Sequence, residues 1–380
     1  MTVRVRSFAK INLGLRIGAA RADGFHSLLT VYQTIGLHDF VSVRVGRGSG
    51  IEIKSNDARV PRDASNTCYR IVEKAMAALK ARGRVVIEIE KRLPVQGGLG
   101  GASGNAVAAL IALERALRKA LPQKKRLEIA AEVGSDLPLF LVGGTVLGVG
   151  RGERVYPVED LPSLPCVVVV PEVGVSTPKA FAAWDRLQGL TPSLSSEADA
   201  ALKGCSSTVV DRNREGAEAV AEDLGPVATE LRSAGQPGAA APTQPRSKLT
   251  ASPASDKINE FGHEFSAWLS GLHSGAPSIK RRGQVQNLLL ELVRAGIDND
   301  FERVVFPEYP ELREGKGALV RAGAKYASLS GSGSTLYGLY ASQEAAVRGA
   351  ARLKKLGWAA QATATLTRAQ YWKKLPVSGF

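Results

Sequence analysis

Leu93-Pro94-Val95-Gln96-Gly97-Gly98-Leu99-Gly100-Gly101-Ala102-Ser103-Gly104-Asn105 decides how this chain is read. Five of the eight residues from Gly97 to Gly104 are glycine, and an alanine-rich helical pattern, Ala106 to Ala120, follows directly. Glycines feeding a helix start let backbone N–H groups converge on an anion with no Cβ in the way, and the helix dipole favours negative charge there. The stretch has no Gly-Lys-Ser/Thr ending as in a Walker A loop. Nor is it a dinucleotide fingerprint with its acidic residue about twenty positions on. It therefore predicts a phosphate cradle of another kind.

Working outward, Val85 to Ile89 leads into the loop as a strand. Val3, Val5, Ile11, Leu13, Leu15 and Ile17 alternate as a half-buried sheet requires, and Val41 to Val45 and Ile51 to Ile53 repeat the period. Asn66 to Arg82 carries helical spacing, with Ser65 or Asn66 as its cap. Beyond the loop helix, Lys124 to Glu132 predicts a second helix and Leu139 to Val158 a β-rich stretch. Cys166 to Val170 opens a second domain, followed by a helix over Pro178 to Leu187. Further helices are expected at Gln284 to Ala295, Glu308 to Ala322 and Gln343 to Leu356, with strands at Tyr326 to Leu329, Thr335 to Tyr340 and Gln361 to Leu366. Strands and helices alternating without strict βαβ repetition give an α+β protein with two domains, 1–160 and 161–380. A compositionally distinct insertion at about 189–282 interrupts the second. Its middle, Ser233 to Pro245, is low-complexity, with possible surface helices at 212–232 and 256–272. Deleting Ala234 to Thr250 is therefore expected to leave folding and activity intact; loss of soluble protein in that deletion would show the insert to be structural.

At 380 residues, with 44% hydrophobic and 23% charged, the chain can bury a large core. Its longest apolar run, Ala106 to Leu113, is too short to span a bilayer, and Met1 to Arg6 lacks a signal-peptide core. Neither the three cysteines (Cys68, Cys166, Cys205) nor the four histidines show metal-ligand spacing, and the odd thiol suits a reducing cytoplasm. The net charge of +14 invites a nucleic-acid partner, but the basic residues are scattered and no binding module accompanies them. No nucleic acid and no membrane is the expectation.

Three more constellations accompany the loop. They are Ala9-Lys10-Ile11-Asn12-Leu13 with Arg21-Ala22-Asp23-Gly24-Phe25-His26, then Gly134-Ser135-Asp136-Leu137-Pro138-Leu139-Phe140, and finally Ser330-Gly331-Ser332-Gly333-Ser334. Together, in this order, they resemble the GHMP kinases, and within them the branch acting on 4-(cytidine 5'-diphospho)-2-C-methyl-D-erythritol (CDP-methylerythritol). The resemblance covers residues 1 to about 187 and 284 to 367. It implies a two-domain fold with a ribosomal protein S5 domain 2-like first half and a ferredoxin-like second half. The implied reaction is phosphorylation of the substrate's 2-hydroxyl by ATP with Mg2+, in the non-mevalonate route to isoprenoids. Another small-molecule kinase of the group (for mevalonate, homoserine or a sugar) and a non-catalytic RNA binder are the competing expectations.

Phosphoryl transfer needs a cradle for the nucleotide, compensation of charge at the γ-phosphate, and a group to take the hydroxyl proton. By resemblance, Lys10 and Asp136 are the catalytic pair. Pro94, Gly97, Gly98, Leu99, Gly100, Gly101, Ala102, Ser103 and Gly104 form the cradle, and Asn66 faces the adenine. The cytosine would stack between Phe25 and Phe181 with His26 on its edge, while Asn12 and Thr177 would contact the rest of the substrate. Stacking alone does not separate cytosine from uracil, so His26 and nearby backbone must. The sequence departs from the family at Phe25, usually tyrosine, and at Gly104, usually a second serine. Ser103 is thus the only hydroxyl left in the loop, and either it meets the metal or phosphate oxygens and water hold the ion, so the metal ligands stay open. The Gly-Ser cluster is expected to turn tightly against the loop. Monomer and homodimer are both compatible with the sequence.

Overall fold

The computed structural model describes residues 1–95, 97–189 and 298–377. Two long antiparallel strands, β1 (Thr2–Ala20) and β2 (His26–Gly46), form the backbone of the first sheet. To them are added β3 (Ile51–Ser55), β4 (Arg84–Glu90), β5 (Thr145–Gly150) and β6 (Arg154–Pro157), in the order β3-β4-β2-β5-β6 with β1 on β2. Only β3 and β4 run parallel. Helices α1 (Thr67–Ala78), α2 (Gly101–Leu117), α3 (Gln123–Val133) and α4 (Leu137–Val142) share one core with this sheet, in which Val5, Val41, Val43, Ile87 and Ile89 meet Ile71, Leu110 and Leu113. Each such fully buried aliphatic side chain contributes roughly 1.5–3 kcal/mol.

The second sheet contains β7 (Pro165–Val169), β8 (Tyr326–Leu329), β9 (Leu336–Leu339) and β10 (Ala360–Ala364) in the antiparallel order β10-β7-β9-β8. That order is the split βαβ arrangement of ferredoxin-like domains. Alternate β7 residues explain how it is sandwiched. Val167 and Val169 pack with α6 (Glu302–Glu308), α7 (Pro310–Arg321) and α8 (Gln343–Lys355), whereas Cys166 and Val168 pack on Ala9, Ile11 and Leu13 of β1. Helix α5 (Thr177–Leu187) joins the helical side through Ala180 and Trp184. Burial pushes the Cys68 thiol up to about 12 and raises that of Cys166 further, so both are inert packing residues.

A final helix, α9 (Arg368–Lys374), opens with a capping box at Thr367 and Gln370 and returns to the first half. Leu366, Tyr371 and Leu375 belong to the first core, the Tyr371 hydroxyl donates to the Phe140 carbonyl at 2.7 Å, and Arg6 N donates to the Leu375 carbonyl.

Three local differences from the sequence reading have physical causes. Residues 139–142, expected to open the β-rich stretch, lie instead in α4: Leu-Pro-Leu-Phe-Leu-Val has no period to separate the two, and Pro138 suits a first helical turn. The glycine loop ends sooner than expected, since α2 already starts at Gly101. Strand β2 runs from His26, because its middle is buried on both faces and shows no alternation. The expected helices at 212–232, 256–272 and 284–295 lie outside the described residues.

Candidate active site

Lys10 sits on a strand, where its side chain would ordinarily face solvent. Here β1 is covered on both faces. Residues Ala9, Ile11 and Leu13 dock on the second sheet, leaving Lys10 and Asn12, two apart and so on the same face, beneath the glycine loop. Register shifts between Phe8 and Ala9 and between Asn12 and Gly14 bracket the pair, the kind of bulge that re-aims side chains. The Lys10 backbone N–H donates to the Leu99 carbonyl at 3.0 Å, fastening strand to loop.

The side chain of Lys10 is 4% exposed and its Nζ lies 3.4 Å from Asp136 Oδ2 and 2.8 Å from Asn12 Oδ1. Asn12 in turn donates from Nδ2 to Thr30 Oγ1 at 2.8 Å, so both ends of its amide hold the ammonium in place. Asp136 precedes α4, leaves its carboxylate free of any cap bond, and keeps a third of its side chain exposed. Its Oδ1 accepts from the Tyr32 hydroxyl at 3.1 Å. Burial, with the charge of Asp136, raises the Tyr32 hydroxyl well above the usual range, so this group stays a donor. Tyr32 escaped the sequence reading because a tyrosine in a strand looks like core.

The loop is clamped from the second half. Gly98 adopts φ +77°, and a Cβ there would run into the Ser330 carbonyl oxygen. Ser330 Oγ donates to the Gly98 carbonyl at 3.0 Å and Thr335 N donates to the Gly97 carbonyl at 3.2 Å. The Gly-Ser cluster therefore forms the expected turn against the loop. Asn299, which the sequence did not single out, braces it by donating to the Leu329 and Gly331 carbonyls at 2.9 and 2.8 Å. A Cβ added at Gly331 would stand 3.6 Å from Lys10 Nζ and 3.7 Å from Asn12 Oδ1, so the turn passes close to both side chains.

A cavity of about 360 Å³ lies beside the loop, lined by Pro94, Gly97 to Ser103, Asn66, Lys91 and Asn105. Asn66 caps α1 by accepting from Cys68 N at 2.8 Å, and its Nδ2 donates to the Pro61 carbonyl at 2.6 Å. Its amide is thus engaged by the fold. Lys91 pairs with the buried Asp39, whose Oδ1 also accepts from the N–H groups of Arg92 and Leu93 at 2.7 Å each. This fixes the path by which β4 enters the loop.

Gly104 lies on the inner side of α2, where an added Cβ would stand 2.9 Å from both the Phe8 carbonyl and Ser7 Oγ. Ser7 thus fills the volume a serine at 104 would need, and its own Oγ is buried without a partner. Gly104→Ser is expected to lower stability by about 1–3 kcal/mol through overpacking, with partial recovery in the Ser7→Ala background. Thermal melts of the single and double variants check this; a Gly104→Ser protein as stable as the parent would contradict it.

His26 stacks on Phe181 at 4.8 Å and 10°, and its Nε2 lies 2.7 Å from Asp185 Oδ1. Phe301 meets Phe181 edge-on at 4.9 Å. The exposed Phe25 carries the Arg151 guanidinium over its ring at 4.9 Å. His26 thus covers one face of Phe181, and Phe25 and Phe181 make no direct ring contact with each other. Thr177 Oγ1 lies 2.8 Å from Ser332 Oγ, linking α5 to the Gly-Ser turn. Among the described residues no cluster of three or more histidine, cysteine or acidic side chains could hold a metal.

Comparison with known proteins matches the GHMP kinases N terminal domain to residues 66–144 and the GHMP kinases C terminal domain to residues 282–357. A 4-diphosphocytidyl-2-C-methyl-D-erythritol kinase of Solibacter usitatus (strain Ellin6076) is 32% identical over 344 residues, covering 90% of this chain and 83% of that one. A crystal structure of 4-(cytidine 5'-diphospho)-2C-methyl-D-erythritol kinase superposes with a TM-score of 0.60 at 24% identity, covering 95% of this chain and 98% of that one. The homoserine kinase of Cytophaga hutchinsonii also reaches 0.60, at 19% identity, over 96% and 95% of the two chains. Shape alone thus does not separate the two substrates, whereas sequence similarity spans nearly the whole chain with the first. By that similarity the chain belongs to the GHMP kinases, in the branch of the 4-diphosphocytidyl-2-C-methyl-D-erythritol kinases.

Proposed function

We propose that this protein transfers the γ-phosphoryl group of ATP to the 2-hydroxyl of 4-(cytidine 5'-diphospho)-2-C-methyl-D-erythritol. The observation that carries the proposal is the buried Lys10 ammonium 3.4 Å from Asp136, beside the glycine loop. Asp136 accepts the hydroxyl proton as the new O–P bond forms and the bond to the ADP leaving group breaks. Lys10, oriented by Asn12, stabilises the negative charge shared by the carboxylate and the transferring group. Tyr32 holds Asp136 through Oδ1 and leaves the carboxylate's remaining lone pairs to the substrate.

The cradle is assigned to Pro94 and Gly97 to Gly104 within domain 1–160, with Asn66 and Lys91 in the wall of the same cavity. Domain 161–380 would supply the Gly-Ser clamp and, on α5, Thr177 and Phe181. Mg2+ supplies charge neutralisation on the phosphates when bound. The half-buried Ser103 hydroxyl is the loop oxygen available to it, which fits an ion that keeps water and phosphate oxygens as most of its ligands. Among the described residues no helix is long and apolar enough to cross a membrane. We assign the enzyme to the cytoplasm, with no nucleic-acid partner.

Coupled ADP release with the purified full chain tests the proposal. Turnover is expected with the cytidine-linked substrate and ATP, and little with mevalonate, homoserine or hexoses. Equal turnover on an alcohol without the cytidine moiety would reject the substrate assignment. Tight, steeply salt-dependent RNA binding without phosphoryl transfer would favour the RNA-binding alternative.

A further inference from the structure

Residues four apart on a helix share a face, and Thr177, Phe181 and Asp185 follow one another at that spacing along α5. All three point to the same side. Thr177 meets Ser332 of the Gly-Ser turn, Phe181 lies flat on the His26 ring, and Asp185 Oδ1 sits 2.7 Å from His26 Nε2. His26 is 8% exposed and is thus gripped on one face and at one nitrogen by a single helix. Phe301, packed edge-on against Phe181, stiffens the grip.

We infer that Asp185 is a positioning residue for base selection: it fixes His26 with its proton on Nε2 and so sets Nδ1 as the acceptor that recognises an amino-bearing pyrimidine. The inference rests on the proposed cytidine substrate. A carboxylate oxygen can only accept, so the short contact requires Nε2 to be the donor. In the neutral ring Nδ1 then carries a lone pair. Such an acceptor pairs with the 4-amino group of cytosine and opposes the 4-oxo group that replaces it in uracil. Stacking, which treats both bases alike, cannot supply this distinction. A merely structural role would be met by any group that anchors Nε2, donor or acceptor alike; base selection depends on an acceptor there that keeps the proton on Nε2.

Two measurements test the inference. Nitrogen-15 NMR of histidine-labelled full-length protein reads the ring tautomer without substrate or turnover. His26 is expected to show a protonated Nε2 and a lone-pair Nδ1, and the opposite tautomer in the parent protein would overturn the inference. Kinetics then compare the cytidine substrate with its uridine counterpart for parent and Asp185→Asn, whose amide can donate to Nε2 and release the proton to Nδ1. The variant is expected to raise KM for the cytidine substrate roughly tenfold, the scale of one charge-assisted hydrogen bond. Its cytidine-to-uridine preference should fall by a similar factor while kcat stays within about threefold. An unchanged preference would overturn the inference, as would a loss confined to kcat. Where Asp185→Asn does not fold, Asp185→Glu, which keeps an acceptor on a longer arm, is expected to retain the preference, and its loss there counts against the inference. A parent enzyme that turns over ATP with neither pyrimidine substrate refutes the functional proposal instead, while the tautomer measurement still judges the Asp185 contact.

Discussion

Asp136→Asn is expected to reduce turnover at least a hundredfold, roughly 2.7 kcal/mol or more in barrier height, while leaving ATP affinity within a few-fold of the parent. The amide keeps the volume of the carboxylate and can still accept from Tyr32, so the site should not collapse. What it loses is the ability to take a proton and the negative charge facing Lys10 at 3.4 Å. Lys10 would then be a buried ammonium held only by Asn12 and the nearby Tyr32 ring, 5.5 Å from Nζ. The loop proposed as the nucleotide cradle, Gly97 to Gly104, keeps all its residues in this variant. Steady-state ADP release paired with calorimetric ATP titration separates the two effects. Parent-like turnover would remove Asp136 from its role, and a loss of ATP binding equal to the loss of rate would make it a nucleotide ligand.

Gly98→Ala is the second large effect, and it acts on the fold and the cradle together. The native φ of +77° disfavours any side chain, and a Cβ at this position would strike the Ser330 carbonyl. Relief requires the loop to retreat from the Gly-Ser turn, which breaks the contacts Ser330 and Thr335 make with the Gly98 and Gly97 carbonyls. The expected cost is about 2–4 kcal/mol of stability, the sum of backbone strain and overpacking. ATP affinity should fall by more than tenfold, because the loop proposed to cradle the nucleotide is displaced. Gly24→Ala is the control: it also has positive φ, +77°, but a Cβ there meets nothing within 4 Å, so it should lose only the strain component. Thermal melts and ATP titration of both variants check the comparison. Equal melting temperatures for the two would mean that the clamp has no energetic weight.

How much of this was legible in the sequence depended on whether a residue belonged to a short motif. Lys10, Asp136 and the glycine loop stand in local patterns, and the chain folds so that all three meet. Local pattern did not disclose the groups that orient them. Tyr32 lies within a strand buried on both sides, where a hydroxyl is camouflaged by its aromatic ring. Asn299 and Asp185 lie far from any motif, and only the pairing of sheets and helices reveals that they reach Gly331 and His26. Fold contacts and ligand contacts also share residue types. Asn12 and Asn66 look like ligand-binding amides, and each already makes two hydrogen bonds within the fold, with Lys10 and Thr30 for one and with Cys68 and Pro61 for the other, which leaves one N–H and one lone pair apiece. Polar residue type announces a hydrogen bond without saying to whom. The strand-for-helix error at 139–142 has a simpler cause, a run of apolar residues carrying no period.

The return of α9 to the first core has a consequence for biosynthesis. Tyr371 and Leu375 fill space between α4 and the start of β1, so the amino-terminal half carries a vacancy in its interior for as long as translation has not passed residue 375. Folding from the ribosome in order of emergence is therefore denied its final step, and the nascent first half must wait, incompletely packed, for the last helix to arrive.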